Sequence, residues 1–318
     1  MSMNVENDNP ALYSQFKERI GDNGISLKAQ GAFAEANNVG GETKWFGTLQ
    51  DMSVPESYLA KVNNTQALKV EGRPVDVLQT NITISNGWNW IGYTPQFSLP
   101  VNTELAGITA QSGDQIKAQN GFSLYDNNNG WIGSLTYMEP GKGYMYYSGA
   151  NGSSTFTYPS ATVRQNARSR AVSSEVEAKW NCDFRRFVNS MTFTAIVLFD
   201  GVELKSDYVE IAAFAGDDCR GSILLSYIPD MEHDYLGFLM IYGEEGDKIH
   251  FRMYDHATGK EYINNTALVT FRANDIHGNV LNPYEVRFNS GTSIYETSNG
   301  PVSIYPNPIT DILSINHQ

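Results

Sequence analysis

The sequence predicts an all-β protein in which two tandem small β domains precede an immunoglobulin-like β-sandwich. Three observations support this fold class. One stretch of the chain repeats an earlier stretch, short strand-like runs recur between glycine and asparagine turns, and helical character is confined to two short segments. At 318 residues the chain has room for two or three domains of ordinary size.

An internal duplication relates residues 17–30 to residues 106–119. The two segments, KERIGDNGISLKAQ and AGITAQSGDQIKAQ, align without a gap and end in the same Lys-Ala-Gln triplet. The similarity continues through matched positions: Phe33 with Phe122, residues 45–49 (WFGTL) with 131–135 (WIGSL), and Pro55 and Tyr58 with Pro140 and Tyr144. A period of roughly 85 to 90 residues is too long for a solenoid unit and suits a small domain.

We call residues 1–78 the first repeat and residues 79–160 the second repeat. The second repeat contains a run of aromatic and β-branched residues flanked by glycines, GWNWIGY at 87–93, which predicts a strand. The first repeat has no counterpart of this run, so we expect it to be incomplete at its N-terminal end. Each repeat also contains one weakly helical segment, at 10–19 and at 102–108.

Residues 161–178 are polar and free of aromatic residues, which indicates a linker. Three arginines in this linker fit either a processing site or a solvated connector. Residues 179–290, which we call the sandwich, contain strand-like runs at about ten-residue spacing: 191–199, 208–215, 222–228, 235–242, 248–254, 267–271 and 284–288. Seven such runs with turn residues between them predict a sandwich of immunoglobulin type.

Residues 291–318 are predicted to contain a further linker and then a strand, which ends at a proline motif. In the motif Tyr305, Pro306, Asn307 and Pro308, proline fixes the backbone and removes an amide donor. We therefore expect the strand to stop there, with a turn before a second strand at 311–315.

Composition limits the partners of the chain. The net charge of −13 argues against nucleic acid and anionic membrane surfaces, because like charges repel within the screening length. The sequence contains no apolar run long enough to span a membrane, and the first twenty residues do not resemble a signal peptide. The two cysteines, Cys182 and Cys219, are spaced as neither a redox nor a zinc pair, which leaves a disulfide or two buried thiols.

Catalytic chemistry has little support in the sequence. The five histidines lie at 233, 250, 256, 277 and 317, so neither repeat contains one. In the predicted strand at 248–254, Ile249, Phe251 and Met253 alternate with polar residues, which places His250 on the solvent-facing side. No nucleotide-binding, metalloprotease or hydrolase motif is present, so we predict that the chain is not an enzyme and has no metal or cofactor.

Acidic clusters leave calcium as an alternative, because calcium prefers oxygen ligands in loops. None of the clusters has the EF-hand spacing, and acidic turns are also simply solvated. The clusters are Asp217 with Asp218, Glu244 with Glu245 and Asp247, Asp230 with Glu232 and Asp234, and the loop at 126–130.

Aromatic residues concentrate in the second repeat and could stack on sugar rings, since carbohydrate-binding surfaces use exposed tryptophan and tyrosine. Trp88 and Trp90 share one face of their strand, and strand alternation sends only half of the aromatics outward. The match of Trp45 with Trp131 is what core residues would show. Core packing and a ligand-binding platform therefore both remain open for these residues: Trp88, Trp90, Trp131, Tyr144 and Tyr146.

Three parts of the chain resemble known families. The motifs GWNWIGYT, GDQIKAQNGF, GWIGSL and MEPGKGYMYY resemble a tandem module of large secreted proteins of gut and oral bacteria. The segment with AAFAGDDCRG and IYGEEGDKIHFRMYDHATG resembles the β-sandwich domain that accompanies this module. The end of the chain, VSIYPNPITDILSI, resembles the start of the type A sorting domain of the type IX secretion system. These families bring no catalytic residues to this chain.

The resemblance implies an extracellular or cell-surface location and export through a full-length C-terminal sorting domain. An exported chain favours a disulfide between Cys182 and Cys219. We expect a non-catalytic surface protein that acts in adhesion or binds glycans or host proteins. Two alternatives remain: an accessory region of a secreted hydrolase whose catalytic domain lies upstream, and a passive spacer.

Overall fold

The structure, a computed structural model, describes residues 1–6, 16–160 and 176–291, apart from the side chains of 265–267, together with the backbone of Ile294–Tyr295, Ser303–Pro306 and Leu313–Asn316. Across these residues the chain is built from antiparallel sheets, and its two α-helices have three and four residues. The predicted all-β fold class is therefore confirmed.

The first repeat forms a four-stranded sheet with strand order β4-β3-β2-β5 and a small pair of β1 with β6. A short helix, α1, leads into the sheet through a 3-10 turn, and Phe16, Leu27 and Tyr58 are core residues. The elements are β1 (Val5–Glu6), α1 (Glu18–Ile20), the 3-10 turn (Gly21–Asn23), β2 (Gly24–Lys28), β3 (Phe33–Val39), β4 (Glu42–Gly47), β5 (Leu59–Val62) and β6 (Arg73–Pro74). Residues 10–15 of the predicted helical segment lie outside the described residues.

The second repeat forms a five-stranded sheet with strand order β11-β10-β9-β13-β7, and β8 pairs with β12. The predicted strand at 87–93 coincides, apart from Tyr93, with the second half of the longer strand β7, and the predicted helical segment is the single turn α2. The elements are β7 (Ile82–Gly92), β8 (Leu99–Pro100), α2 (Val101–Glu104), β9 (Gln115–Lys117), β10 (Phe122–Asp126), β11 (Gly130–Gly133), β12 (Tyr137–Met138) and β13 (Gly143–Phe156).

The two repeats share strand order and register, as the duplication requires. β2, β3, β4 and β5 correspond to β9, β10, β11 and β13. Trp45 pairs with Ala36 across β3 and β4, and Trp131 pairs with Tyr125, the aligned residue, across β10 and β11. A backbone N–H five residues earlier donates to each of the matched tyrosine hydroxyls, at 2.6 Å for Tyr58 and 2.7 Å for Tyr144.

The first repeat has a partial counterpart of β7, which differs from the expectation of none. Gly92 at the end of β7 pairs with Gly143, and Ser2 forms an isolated bridge with Ser57 at the equivalent place. The amide of Tyr58 donates to the carbonyl of Met1 at 2.8 Å. This pairing escaped the sequence comparison because MSMNV shares none of the aromatic residues of the β7 motif.

The sandwich consists of two facing sheets. One has strand order β15-β14-β19-β18, with β22 and β23 parallel to β14, and the other has order β17-β16-β20-β21-β24. The elements are a 3-10 turn (Phe184–Arg186), β14 (Asn189–Phe199), β15 (Val202–Glu203), β16 (Val209–Ala215), β17 (Asp218–Leu224), β18 (Ser226–Tyr227), β19 (Tyr235–Gly243), β20 (Lys248–Asp255), β21 (Lys260–Thr270), β22 (Ile276–His277), β23 (Tyr284–Phe288) and β24 (Ile294–Tyr295).

The alternation predicted for β20 is correct, but the predicted exposure of His250 is wrong. Ile249, Phe251 and Met253 lie in the core between the sheets. His250 lies on the opposite face, yet only 8% of it is exposed, because this face is itself covered and Phe214 stacks on the imidazole at 5.8 Å. Burial lowers the pKa of His250 from its ordinary value.

A segment at the start of the sandwich, residues 179–187, lies over this outer face. Trp180 packs edge-to-face on Phe214 and Tyr254 at 5.8 and 6.1 Å. The buried carboxylate of Glu210 accepts hydrogen bonds from the backbone N–H groups of Lys179 and Trp180. Cys182 and Cys219 form a disulfide with their Cα atoms 5.2 Å apart, which ties the segment to β17.

The proline motif near the C-terminus lies partly within a strand. β25 (Ser303–Pro306) pairs antiparallel with β26 (Leu313–Asn316), so Tyr305 and Pro306 belong to the first strand. Asn307 and Pro308 lie outside the described residues, as do residues 161–175 of the predicted linker.

Candidate ligand-binding cleft

A cleft of about 620 Å³ lies between the first and second repeats. One wall comes from β7, which contributes residues near both of its ends. The other wall comes from the β2–β3 turn and the connection between β4 and β5 of the first repeat. This volume falls within the usual range of small-molecule sites, which is roughly 300 to 1,000 Å³.

The walls of the cleft are joined by hydrogen bonds between the repeats. The side-chain amide of Gln30 donates to the carbonyl of Trp88 at 2.7 Å and accepts from the N–H of Trp90 at 2.8 Å. Beside it, the N–H of Gly92 donates to the carbonyl of Pro55 at 2.8 Å. These bonds between backbone and amide groups hold the two walls in a defined geometry.

Trp90 is the aromatic residue of the cleft. Its half-buried side chain lies on the face of the second-repeat sheet that points away from that domain's core, and it lines the cleft. An indole in this position offers a rigid apolar surface for a planar or cyclic ligand.

Trp88 lies on the same face of the sheet as Trp90 but contacts the sandwich. Its ring packs on Tyr147 at 5.4 Å, lies 4.5 Å from the ammonium nitrogen of Lys117, and donates through Nε1 to the carbonyl of Asn274 at 3.2 Å. Trp88 is therefore part of the contact between the second repeat and the sandwich, and we exclude it from the cleft.

The platform interpretation is wrong for Trp131, Tyr144 and Tyr146. These side chains are 7%, 2% and 0% exposed and belong to the core of the second repeat. The hydroxyl of Tyr146 donates to Asp114 at 2.7 Å within that core. Strand alternation explains the difference, because Tyr144 and Tyr146 occupy the opposite phase of their sheet from Trp90.

Polar groups surround Trp90 in the cleft. They comprise amides, hydroxyls and carboxylates: Gln30, Gln50, Asn81, Thr48, Thr83, Ser53, Asp51 and Glu56. The hydroxyl of Tyr58 donates to Glu56 at 3.0 Å and so helps to orient this carboxylate. Among the described residues that line the cleft there is no histidine, cysteine, lysine or arginine. The arrangement is suited to stacking and hydrogen bonding.

The Lys-Ala-Gln triplet docks each repeat on the domain that follows it. In the second repeat, the buried ammonium of Lys117 donates to Asn274 at 2.7 Å, and the carbonyl of Gln119 accepts from the hydroxyl of Tyr242 at 2.6 Å. Burial lowers the pKa of Lys117 to about 7. Gln30 has the equivalent role in the first repeat. The triplet was visible in the sequence, but there it indicated only duplication.

The outer sheet face of the second repeat is covered by the sandwich. Phe122 and Leu124 pack against β19, with Phe122 edge-to-face on Phe238 at 6.0 Å. In the first repeat the equivalent of Phe122 is Phe33, which is 44% exposed. The sandwich thus covers this face around Phe122 and Leu124 and contacts Trp88, whereas Trp90 lines the cleft.

Arginine or lysine pairs with at least one carboxylate of each acidic cluster of the sandwich. Asp217 pairs with Arg252 at 2.9 Å, Asp218 with Arg186 at 2.9 Å, and Asp247 with Arg220 at 2.7 Å. Asp234 pairs with Lys205 at 2.7 Å. Among the described residues, no group of three or more histidine, cysteine, aspartate or glutamate side chains is arranged to hold a metal ion.

The predicted loop at 126–130 is a turn built around one carboxylate. Oδ1 of Asp126 accepts from the backbone N–H groups of Asn128 and Asn129, both at 3.0 Å, and from the side-chain amide of Asn129. Gly130 adopts a φ of +74°, which only glycine tolerates easily. These contacts give the side chain of Asp126 a structural role in the turn.

A buried carboxylate, Glu104, lies in the core of the second repeat. The hydroxyl of Tyr93 donates to its Oε1 at 2.6 Å, and its Oε2 has no hydrogen-bond partner among the described residues. Burial raises the pKa of Glu104 from 4.5 to about 7, so the folded domain favours the protonated form.

We expect the second repeat to lose stability as the pH rises from about 4.5 to about 7. In this window the unfolded chain releases the Glu104 proton while the folded domain retains it, so stability present below pH 4.5 is lost as the pH approaches the folded pKa. The loss should be about 3 kcal/mol, and Glu104→Gln should flatten the profile. Urea unfolding at several pH values measures this dependence. Equal slopes for the two proteins would contradict the assignment.

No protein-family model, curated protein or solved structure matches the chain. Within the described residues, no helix has the length and apolar character that crossing a membrane requires.

Proposed function

We propose that the chain is a non-catalytic, extracellular or cell-surface protein that binds glycans through the cleft between its two repeats. The observation that carries this proposal is the position of Trp90. A half-buried indole lies beside amides, hydroxyls and carboxylates in one cleft. Saccharides have both an apolar ring face and many hydroxyl groups, so they match this combination.

The extracellular location is supported by two features. The disulfide between Cys182 and Cys219 is typical of oxidising compartments. The resemblance of the C-terminal segment to a sorting domain is consistent with export by the type IX route. In this proposal adhesion is the consequence of glycan binding at the surface of the cell.

A second candidate, a passive spacer, is favoured by the docking of successive domains through Gln30 and Lys117. Such contacts restrict the rotation of each domain relative to the next, and a stiff series of domains can hold another module away from a surface. A spacer needs no ligand, so glycan retention separates the two functions.

We expect Trp90→Ala to abolish retention of the chain on a glycan that the unaltered chain binds, since the stacking surface is lost. The thermal midpoint should change little, because Trp90 is not a core residue. A glycan array, followed by affinity chromatography on the glycan it identifies, measures this effect.

Phe97→Ala is the matched control. Phe97 is an aromatic residue of the same repeat, is 61% exposed and does not line the cleft. It should retain full binding. Failure of the unaltered chain to bind any glycan, or equal loss in the two variants, would contradict the proposal in favour of the spacer.

A further inference from the structure

The ionisable side chains of the cleft are all acidic. Asp51 and Glu56 lie on the connection between β4 and β5, and both are exposed to solvent at the cleft. Among the described lining residues no basic side chain opposes them. The neighbouring groups, Gln30 and Asn81, are neutral amides, so the cleft presents a negative field to an incoming ligand.

This field discriminates among saccharides that have the same ring. An ionised carboxylate accepts hydrogen bonds and cannot donate them. A neutral sugar can therefore donate hydrogen bonds from its hydroxyl groups to the two carboxylates. A sugar ammonium does the same and adds charge attraction. A carboxylate or sulfate group on the sugar can neither donate a hydrogen bond to Asp51 and Glu56 nor attract them. The net charge of −13 adds long-range repulsion of such a sugar.

We propose, on the basis of the glycan-binding function, that the cleft selects neutral and amino-bearing saccharides and rejects those with carboxylate or sulfate groups. Trp90 supplies the stacking surface common to all of them. Asp51 and Glu56 determine the charge preference. The preference depends on salt, because both carboxylates are exposed and therefore screened.

Three immobilised oligosaccharides of equal length test this preference: oligomers of glucosamine, of N-acetylglucosamine and of galacturonic acid. The measurement is the dissociation constant of the full chain at about pH 5.5, where a sugar amine carries its proton. The glucosamine oligomer should bind roughly two- to fivefold more tightly than the N-acetylglucosamine oligomer, the range expected for exposed ion pairs. The galacturonic acid oligomer should not be retained.

The double variant Asp51→Asn with Glu56→Gln should bring the ratio of the two affinities close to one. The matched control is Asp207→Asn with Glu232→Gln, which removes two exposed acidic residues of the sandwich and changes the net charge equally. In the control the ratio should persist.

The outcomes separate this inference from the function on which it rests. Failure of all three oligomers, and of every other glycan tested, would overturn glycan binding itself. Retention of the galacturonic acid oligomer, equal binding of the other two, or loss of the ratio in the sandwich control would overturn the charge preference alone.

Discussion

Trp131→Ala should lower the free energy of unfolding of the second repeat by about 3 to 5 kcal/mol, the usual cost of truncating a buried tryptophan. Trp131 packs edge-to-face on Tyr125 at 5.3 Å and on Tyr146 at 5.7 Å, and it is 7% exposed. Alanine would leave a cavity between these rings that the rigid sheet cannot close. Because the chain has several domains, hydrogen exchange within the second repeat under increasing urea is the appropriate measurement.

The duplication supplies the matched control for this experiment. Trp45 occupies the equivalent position in the first repeat, but it is only half-buried and packs on Phe16 at 5.7 Å. Trp45→Ala should therefore cost clearly less than Trp131→Ala, measured in its own repeat. A smaller or equal loss at Trp131 would contradict its place in the core.

Removal of the disulfide should have the second large effect. Replacing Cys182 and Cys219 by serine opens a loop of 37 residues, which costs the sandwich about 3 to 4 kcal/mol in the chain-entropy model. The segment at 179–187 should also separate more easily from β16 and β17, since only non-covalent contacts, such as the hydrogen bonds to Glu210 and the ion pair of Arg186 with Asp218, would remain. The loss of stability is measured by unfolding the sandwich in urea, with hydrogen exchange as the probe.

Reduction provides an independent comparison. A reducing agent should bring the unaltered chain to the stability of the double variant and should leave the double variant unchanged. Two free thiols in the denatured, unreduced protein would contradict the disulfide directly.

The sequence predicted those parts of the fold that depend on local periodicity and on the duplication. Alternation correctly placed Ile249, Phe251 and Met253 in the core, because the side-chain period of a strand is two. The aligned Trp45 and Trp131 predicted equivalent positions, and both tryptophans occupy the same register in their sheets.

The alternation of side chains along a strand could not reveal whether the outward face of a sheet is covered by another part of the chain. His250 and Trp88 both lie on the outward side of their sheets, as the period predicts. His250 is nonetheless buried, since Phe214 stacks on its imidazole and Trp180 packs on Phe214 in turn. Trp88 is partly covered because Asn274 of the sandwich contacts it. Such coverage comes from segments distant in sequence, and no local pattern encodes it.

Of the residues that line the cleft, the sequence predicted only Trp90 as a binding residue. Trp90 was among the candidate aromatics, but the polar residues of the first repeat were not, because nothing in the sequence shows that the two repeats contact each other here. Gln30 was the one residue that could have indicated this contact. The same glutamine ends both Lys-Ala-Gln triplets, and contact with the next domain explains why both repeats have it.

Fluorine NMR of the chain labelled with 5-fluorotryptophan tests the central claim most directly. The chain has five tryptophans, so five signals are expected, and Trp90→Phe identifies the one that belongs to Trp90. Titration with a retained oligosaccharide should shift the Trp90 signal and leave the Trp131 signal in place. A bound oligosaccharide that leaves the Trp90 signal unmoved would contradict a binding site in the cleft between the repeats.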